Sequence, residues 1–346
     1  MTPQDPTFLF LGSVPRDLHR LKLMFEAMAH GPDGQALSNY WLALIQSHVG
    51  LLAEHGYGNF KRTLARHYFT WCPRPTDPQI RFLIRHLPLW AVLLSVLRTV
   101  RTPRHALFSW KQSLAYTFLT HLLWEYVERA GIQIALTEPA EGNPPRIYRQ
   151  YQRVSQDLAN SLLEYHAIMG TIPLRSRTIL ELGAGYGRTA FVFMAFHPAL
   201  HYFIADIPPA LWVAETYLAT VFPSRRLFRF REFERYASIQ DELAASDIAF
   251  FLPSQLALLP PKSVDLSLTI SSLHEMRPPQ IAASLQALDR LTSGHVYLKQ
   301  WQVSQIPYDD LTIRDTDYPI PPTWIPIYWR SCAVQTGFFE ALFALR

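Results

Sequence analysis

Cysteine is nearly missing from this chain: Cys72 and Cys332 are the only two among 346 residues. So few, so far apart, exclude a disulfide framework and a cysteine-rich metal centre, and they fit a reducing, cytoplasmic compartment. The amino terminus, "MTPQDPTFLFLGSVPRD", lacks the basic start and long apolar stretch of a secretory signal. Long hydrophobic runs are absent too. The best candidate, "LPLWAVLLSVL" from Leu87 to Leu97, is well short of the roughly 20 residues that cross a bilayer and reads as a buried helix. Charge of one sign is also scarce. The formal net charge is +4, with 17 Lys or Arg against 12 Asp or Glu over residues 1–170 and 15 against 16 over residues 171–346. Arginines scattered among aromatics and carboxylates read as a solvated face, so no nucleic-acid partner is expected, while a membrane surface or anionic carrier for the basic half stays open.

What is present is a core-forming chain, 49% hydrophobic, with two textures. To about residue 170 the patterning is helical. "ALSNYWLALIQSHVGLLAEHG" places apolar residues three and four apart, with Ser38 as a cap at its start and Gly56 at its end. Helical stretches follow over 77–100 and 105–131, split by Pro103, and "YQRVSQDLANSLLEYHAIMG" gives another. Between these, "TEPAEGNPPR" (137–146) reads as a linker, because its prolines and glycine sustain neither helix nor ladder. The division is therefore a helical domain over 1–145, shaping an acceptor site or an oligomer interface, and a second domain over 146–346.

From residue 178 short apolar strands alternate with helices: "TILELG", "TAFVFMAF", "HYFIAD", "PALWVAETYLATVF", "DIAFFLP", "VDLSLTISS", "PQIAASLQALDRL", "HVYLKQW". Such alternation implies right-handed βαβ units, hence a mostly parallel sheet with helices on both faces, a Rossmann-like α/β fold. Sheets of this kind bind ligands at the carboxyl ends of their strands. The aromatic tail "YPIPPTWIPIYWR" reads as a lid or a core-covering extension.

At one carboxyl end lies "ELGAGYGR". Gly183, Gly185 and Gly187 allow positive φ and a ligand flush against the backbone, and the next helix N-terminus favours an anionic group. The spacing G-x-G-x-G differs from the dinucleotide fingerprint G-x-G-x-x-G, which disfavours a nicotinamide dehydrogenase, and no Gly-Lys-Ser/Thr follows to make a P-loop. With Glu181 ahead of it, this loop resembles the S-adenosylmethionine (SAM) loop of class I methyltransferases. The resemblance implies SAM as cofactor, Glu181 and the three glycines as contacts, and Asp206 with Ile207, at the end of "HYFIAD", as the ribose site, where a carboxylate accepts two hydroxyls. By position in the fold, Leu252, Ser254 and Gln255 in "FLPSQL" would enclose adenine.

Over residues 150–345 the chain is similar to the sugar O-methyltransferase family. That likeness rests on "VSQDLANSLLEY", "ELGAGYGR", "ADIPPAL", "LPSQL" and "DLSLTISSLHEM" in order. It implies methyl transfer to a hydroxyl of a sugar, glycoconjugate or other small molecule, with Asn160 and Tyr165 as substrate contacts. Leu273 and His274 stand where this family carries an aromatic and an amide, which leaves the acceptor open.

An alcohol must lose its proton during attack, and a base with pKa near neutrality does this best. "SSLHEM" supplies His274, similar in place to the catalytic histidine of plant small-molecule O-methyltransferases, with Glu275 as its orienter; the rival assignment is that Glu275 acts and His274 packs. No zinc site is expected, since H-E-x-x-H is incomplete, and the aspartates at 309, 310, 315 and 317 read as a solvated loop. Methylation of a natural-product scaffold at carbon or oxygen, and a noncatalytic scaffold with this fold, are the alternatives. Oligomeric state is left open.

Overall fold

The computed structural model describes residues 18–68, 78–132, 136–172, 178–306 and 309–346. Cys72 and the amino-terminal stretch 1–17 lie outside the described residues.

Helices come first: α1 (His19–His30), α2 (Pro32–Ala36), α3 (Asn39–His55), α4 (Pro78–His86), α5 (Leu89–Arg101), α6 (Trp110–Arg129) and α7 (Gln156–Met169). Ser38 caps α3 as its sequence predicts, its Oγ accepting the Trp41 N–H at 3.2 Å, and Gly56 closes the helix with φ of 70°. Helix α7 starts later than its pattern suggests. Residues Gln152–Val154 pair as a short strand with Ile147–Arg149, and Ser155 then caps the helix by accepting the Leu158 N–H at 2.9 Å.

The second half follows the expected alternation: β1 (Thr178–Leu182), α8 (Arg188–Phe196), β2 (His201–Ala205), α9 (Ala210–Val221), β3 (Leu227–Phe228), β4 (Ile248–Phe251), β5 (Val264–Ile270), α10 (Pro278–Leu291), β6 (Thr292–Trp301), β7 (Trp324–Ser331) and β8 (Phe338–Leu345). They form one Rossmann-like sheet in the order β7-β8-β6-β5-β1-β2-β4-β3, parallel except for β8, which runs antiparallel to both its neighbours. After β1 the chain winds outward through β2 and β4, then returns to lay β5 on the other side of β1. That reversal opens a crevice at the carboxyl ends of β1 and β5.

Period-two alternation divides the core. Ile179, Tyr202, Ile204, Phe250 and Leu268 point to one face, which α1, α3, α8 and α9 cover; Leu180, Leu182, Phe203, Phe251 and Leu298 point to the other, covered by α10. Helix α10 presents Ile281, Leu285, Leu288 and Leu291 on one stripe. Each such side chain contributes about 1.5–3 kcal/mol on burial. Helices α1 and α3 thus belong to the core that backs the sheet, while α4, α6 and α7 share a separate cluster with Val192 and Val334.

Three expectations change. Helix α5 is not buried: Ala91, Ser95 and Thr99 face inward, whereas Leu89, Trp90, Leu93, Val96, Leu97 and Val100 face solvent. Small residues at i, i+4 and i+8 let α5 approach α6 closely, and the two hydroxyls are satisfied within the helix on the carbonyls of Ala91 (2.9 Å) and Ser95 (2.7 Å). The stretch 137–146 is irregular, yet it is docked: Glu138 is buried and ion-paired with Lys61. Finally, of the two readings of the aromatic tail the core-covering extension holds and the lid does not: Trp324–Ser331 forms the edge strand β7, with Trp324 buried against Phe343 and Trp329 stacked on Phe339.

Candidate active site

The loop after β1 requires its glycines. Gly183, Gly185 and Gly187 have φ of 79°, 60° and 83°, a region costly for any residue with a Cβ. A Cβ on Gly183 would also lie 2.1 Å from Ser272 Oγ, because the β1 and β5 ends meet there.

Asp206 ends β2 and closes this loop. Its Oδ2 accepts the Gly185 N–H at 2.8 Å and its Oδ1 the Ile207 N–H at 2.7 Å. Burial nevertheless raises its pKa to about 7, against the opposing pull of the two N–H groups. Each oxygen keeps a lone pair for an incoming hydroxyl.

Asp206 and Ile207 line a cavity of about 270 Å³ with Leu182, Gly183, Ser254 and Met276. Its roof comes from the amino-terminal helices, through Pro32, Asp33, Leu37 and Trp41. Asp33 fixes that roof by accepting the Ser254 N–H at 3.0 Å. Gln255 shapes the wall from within: its Oε1 accepts the Leu252 N–H at 2.9 Å and its Nε2 donates to the Arg231 carbonyl at 2.8 Å. Leu252 is buried.

A smaller space of about 40 Å³ continues past Trp41, Gly183, Asp206 and Ser272 toward Glu181, Arg188 and Glu275. Ser272 Oγ is buried with no hydrogen-bond partner among the described residues, although both spaces touch this residue. An orphaned hydroxyl of this kind asks for a ligand.

Glu275 and His274 differ in placement. The Glu275 side chain is 17% exposed and lines the smaller space, and burial, with the Asp206 carboxylate adding, raises its pKa to about 8. His274 is buried behind it, edge-on to Trp301 and Phe338. Its Nδ1 lies 3.0 Å from Gln300 Oε1, and Gln300 Nε2 donates to the Thr269 carbonyl at 3.0 Å. Gln300 therefore offers His274 an acceptor, which puts the proton on Nδ1 and leaves Nε2 as an acceptor, 3.7 Å from Glu275 Oε1. Desolvation depresses the His274 pKa to about 4, so its ring is neutral at pH 7.

Under the glycine loop runs a buried polar network. Arg188 donates to both Glu164 oxygens (2.6 and 3.0 Å) and to Ser161 Oγ (2.7 Å), and Lys299 Nζ reaches Glu164 Oε1 at 2.7 Å. Two cations on one carboxylate hold the Glu164 pKa below its usual range despite burial. Glu181 accepts the Tyr202 hydroxyl at 2.8 Å, and burial lifts its pKa to about 7.

The two candidate substrate contacts lie elsewhere. Asn160 lines a separate cavity of about 310 Å³, on the far side of Glu164, with its Oδ1 buried and unpartnered among the described residues. Tyr165 points to α8, its hydroxyl 2.7 Å from His197 Nε2 and its ring on Phe193 and Phe196. Among the described residues no group of three or more His, Cys, Asp or Glu is placed to hold a metal ion. Asp309 instead accepts from Arg277 at 2.8 Å and from the Tyr40 N–H at 3.1 Å.

Sequence reasoning missed the roof residues Asp33 and Trp41, the orphan Ser272 and the brace Gln300. Arg188 was missed as well, though it follows the third glycine directly, and Ser272 lies within the strand-end run "SSLHEM".

No protein-family model matches this sequence, and a search of curated proteins returns no match. Among solved structures, the PH0226 protein from Pyrococcus horikoshii OT3 is similar at 12% identity, with a TM-score of 0.39 over 64% of this chain and 99% of that one. Magnesium protoporphyrin IX methyltransferase from Synechocystis PCC 6803, with bound SAM, gives 12%, 0.36, 54% and 77%. The 1,6-didemethyltoxoflavin-N1-methyltransferase of Burkholderia thailandensis, with S-adenosylhomocysteine, gives 14%, 0.36, 55% and 78%. The chemistry of the site is therefore read from this chain's own residues.

Proposed function

We propose that this chain is an S-adenosylmethionine-dependent methyltransferase acting on a hydroxyl of a sugar or another small molecule. The observation that carries this reading is Asp206: a buried carboxylate held by two backbone N–H groups and lining a cavity that the glycine loop flanks. Two free lone pairs in one plane suit the vicinal hydroxyls of a ribose. The orphaned Ser272 hydroxyl and the Cβ-free cradle at Gly183 fit the same ligand. Gly183, Gly185, Asp206, Ile207 and Ser254 would hold the nucleoside, under Trp41. When bound, SAM supplies an electrophilic methyl group on a sulfonium.

Glu275 is the better-placed general base. It borders the smaller space, and its raised pKa sits near neutrality, where proton abstraction is most effective. His274 acts as a positioning residue: neutral, fixed by Gln300, with its Nε2 lone pair toward the Glu275 carboxyl. Above about pH 8 Glu275 is ionised and accepts the acceptor hydroxyl's proton as the oxygen attacks. The buried carboxyls also favour a cation in the crevice over a neutral product, because a nearby positive charge restores their ionised forms.

Calorimetric titration with SAM, with NAD as control, tests the reading. Saturable binding of SAM that Asp206→Ala weakens at least about tenfold, roughly 1.4 kcal/mol, is expected. Preference for NAD, or no binding of either by folded protein, would sink it. A screen of sugar and natural-product acceptors then separates hydroxyl from carbon methylation.

A further inference from the structure

We propose that the outer face of α5 is a docking surface for an anionic lipid membrane. Helix α5 turns its small residues inward and its large ones out: Leu89 is 74% exposed, Trp90 58% and Val100 67%, with Leu93, Val96 and Leu97 along the same stripe. Ile84 of α4 and Trp110 at the start of α6 extend the exposed apolar surface. Water-facing side chains of this size in one stripe mark an interaction site.

Charge selects the occupant. Between Asp77 and Glu125 the chain has no Asp or Glu, but it has Arg81, Arg85, Arg98, Arg101, Arg104 and Lys111. All of these except Arg98 are exposed, and the Arg129 guanidinium lies 5.0 Å from the Trp90 ring centre. The acids on the facing helix α6 are already neutralised. Glu125 takes Arg98 at 2.6 Å and Arg149 at 2.9 Å, and Glu128 takes Arg149 at 2.6 Å. The face is therefore apolar at its centre and cationic at its rim. Leucine, valine and tryptophan enter the boundary between headgroups and acyl chains while arginines meet anionic headgroups. A second copy of the chain fits less well, because a two-fold contact would set the cationic rims against each other. Among the described residues no helix is long and apolar enough to cross a membrane, so contact is from the surface. Catalytic elements lie elsewhere in the fold, which makes this surface separable from the methyl-transfer reading.

Vesicle co-sedimentation of the full chain tests it, with one set of vesicles of phosphatidylcholine alone and another of equal parts phosphatidylcholine and phosphatidylglycerol. Binding to the anionic set, weakened by added salt and at least tenfold by Leu93→Glu with Leu97→Glu, is expected; these exposed positions leave circular dichroism and SAM titration unchanged. Arg101→Gln with Arg104→Gln should weaken binding in the same direction. Equal or absent binding to both vesicle sets overturns the proposal. So does a dimer on gel filtration that the double Glu variant converts to monomer, since the face would then be a self-interface.

Discussion

At the residue scale, the site turns on how burial moves protons between neighbouring carboxyls and one histidine. Glu275, raised to about 8, holds its proton at neutral pH, and His274, lowered to about 4, is neutral beside it. Glu275→Gln should lower kcat by roughly 10²–10⁴-fold, the usual contribution of a general base. Cofactor affinity should change far less. The wild-type rate should rise with pH through the Glu275 pKa, whereas His274→Gln should keep that pH dependence at a reduced kcat. Rate against pH for both variants decides between them: a profile that loses its inflection in His274→Gln alone would hand the base role to the histidine. The sequence put both residues at one strand end but could not rank them. Adjacent side chains diverge, and only the fold sends Glu275 into the crevice and His274 behind it.

At the element scale, the β1–α8 loop and the roof made by α2 and α3 decide what the crevice can hold. Gly183→Ala combines a left-handed backbone with a Cβ against Ser272. A cost of about 1–3 kcal/mol is expected for such strain, read as a lower midpoint in urea, with SAM binding lost at temperatures where the variant is still folded. Trp41→Ala leaves the loop intact but uncovers both spaces. SAM affinity should fall several-fold while the unfolding free energy from urea titration changes by less than about 1 kcal/mol, since Trp41 is only partly buried. An unchanged affinity would remove the roof from the site.

Across the whole molecule, raised carboxyl pKa values make the unliganded protein sensitive to alkali. Asp206 (about 7), Glu181 (about 7) and Glu275 (about 8) all bind protons more tightly when folded than their ordinary values near 4 allow. Their contribution to stability is complete below the ordinary carboxyl range and is lost as pH rises through 7 to 8. His274, with His105 and His121, which burial lowers to about 4 and about 3, has the opposite sign and offsets the carboxyls between about pH 4 and 6.5, so the carboxyl term stands alone above that. Tm of the unliganded protein should therefore decline from about pH 6.5 to 8.5, and Asp206→Asn with Glu275→Gln should flatten the slope. A flat wild-type profile would mean that these carboxyls are ionised in the folded protein.

The fold's second half was legible because its strands and helices differ in period, and because glycines at a strand end have few other uses. The order of apolar runs determined β1, β2, β4, β5 and β6 but not the two-residue β3, and the run "ELGAGYG" located the crevice. Strand β8 was not legible: "FFEALFAL" is apolar on both faces, so its period is hidden. The same blindness misplaced α5, where apolar residues on most of the surface left no way to tell which side packs. By itself, then, the sequence determined the βαβ alternation and the glycine loop, since both are local statements about backbone period and φ. The tertiary structure alone decided that α2 and α3 roof the crevice, that Gln300 holds His274 and that Glu275 faces the cavity. Those depend on contacts between residues far apart in the chain, which no local pattern encodes.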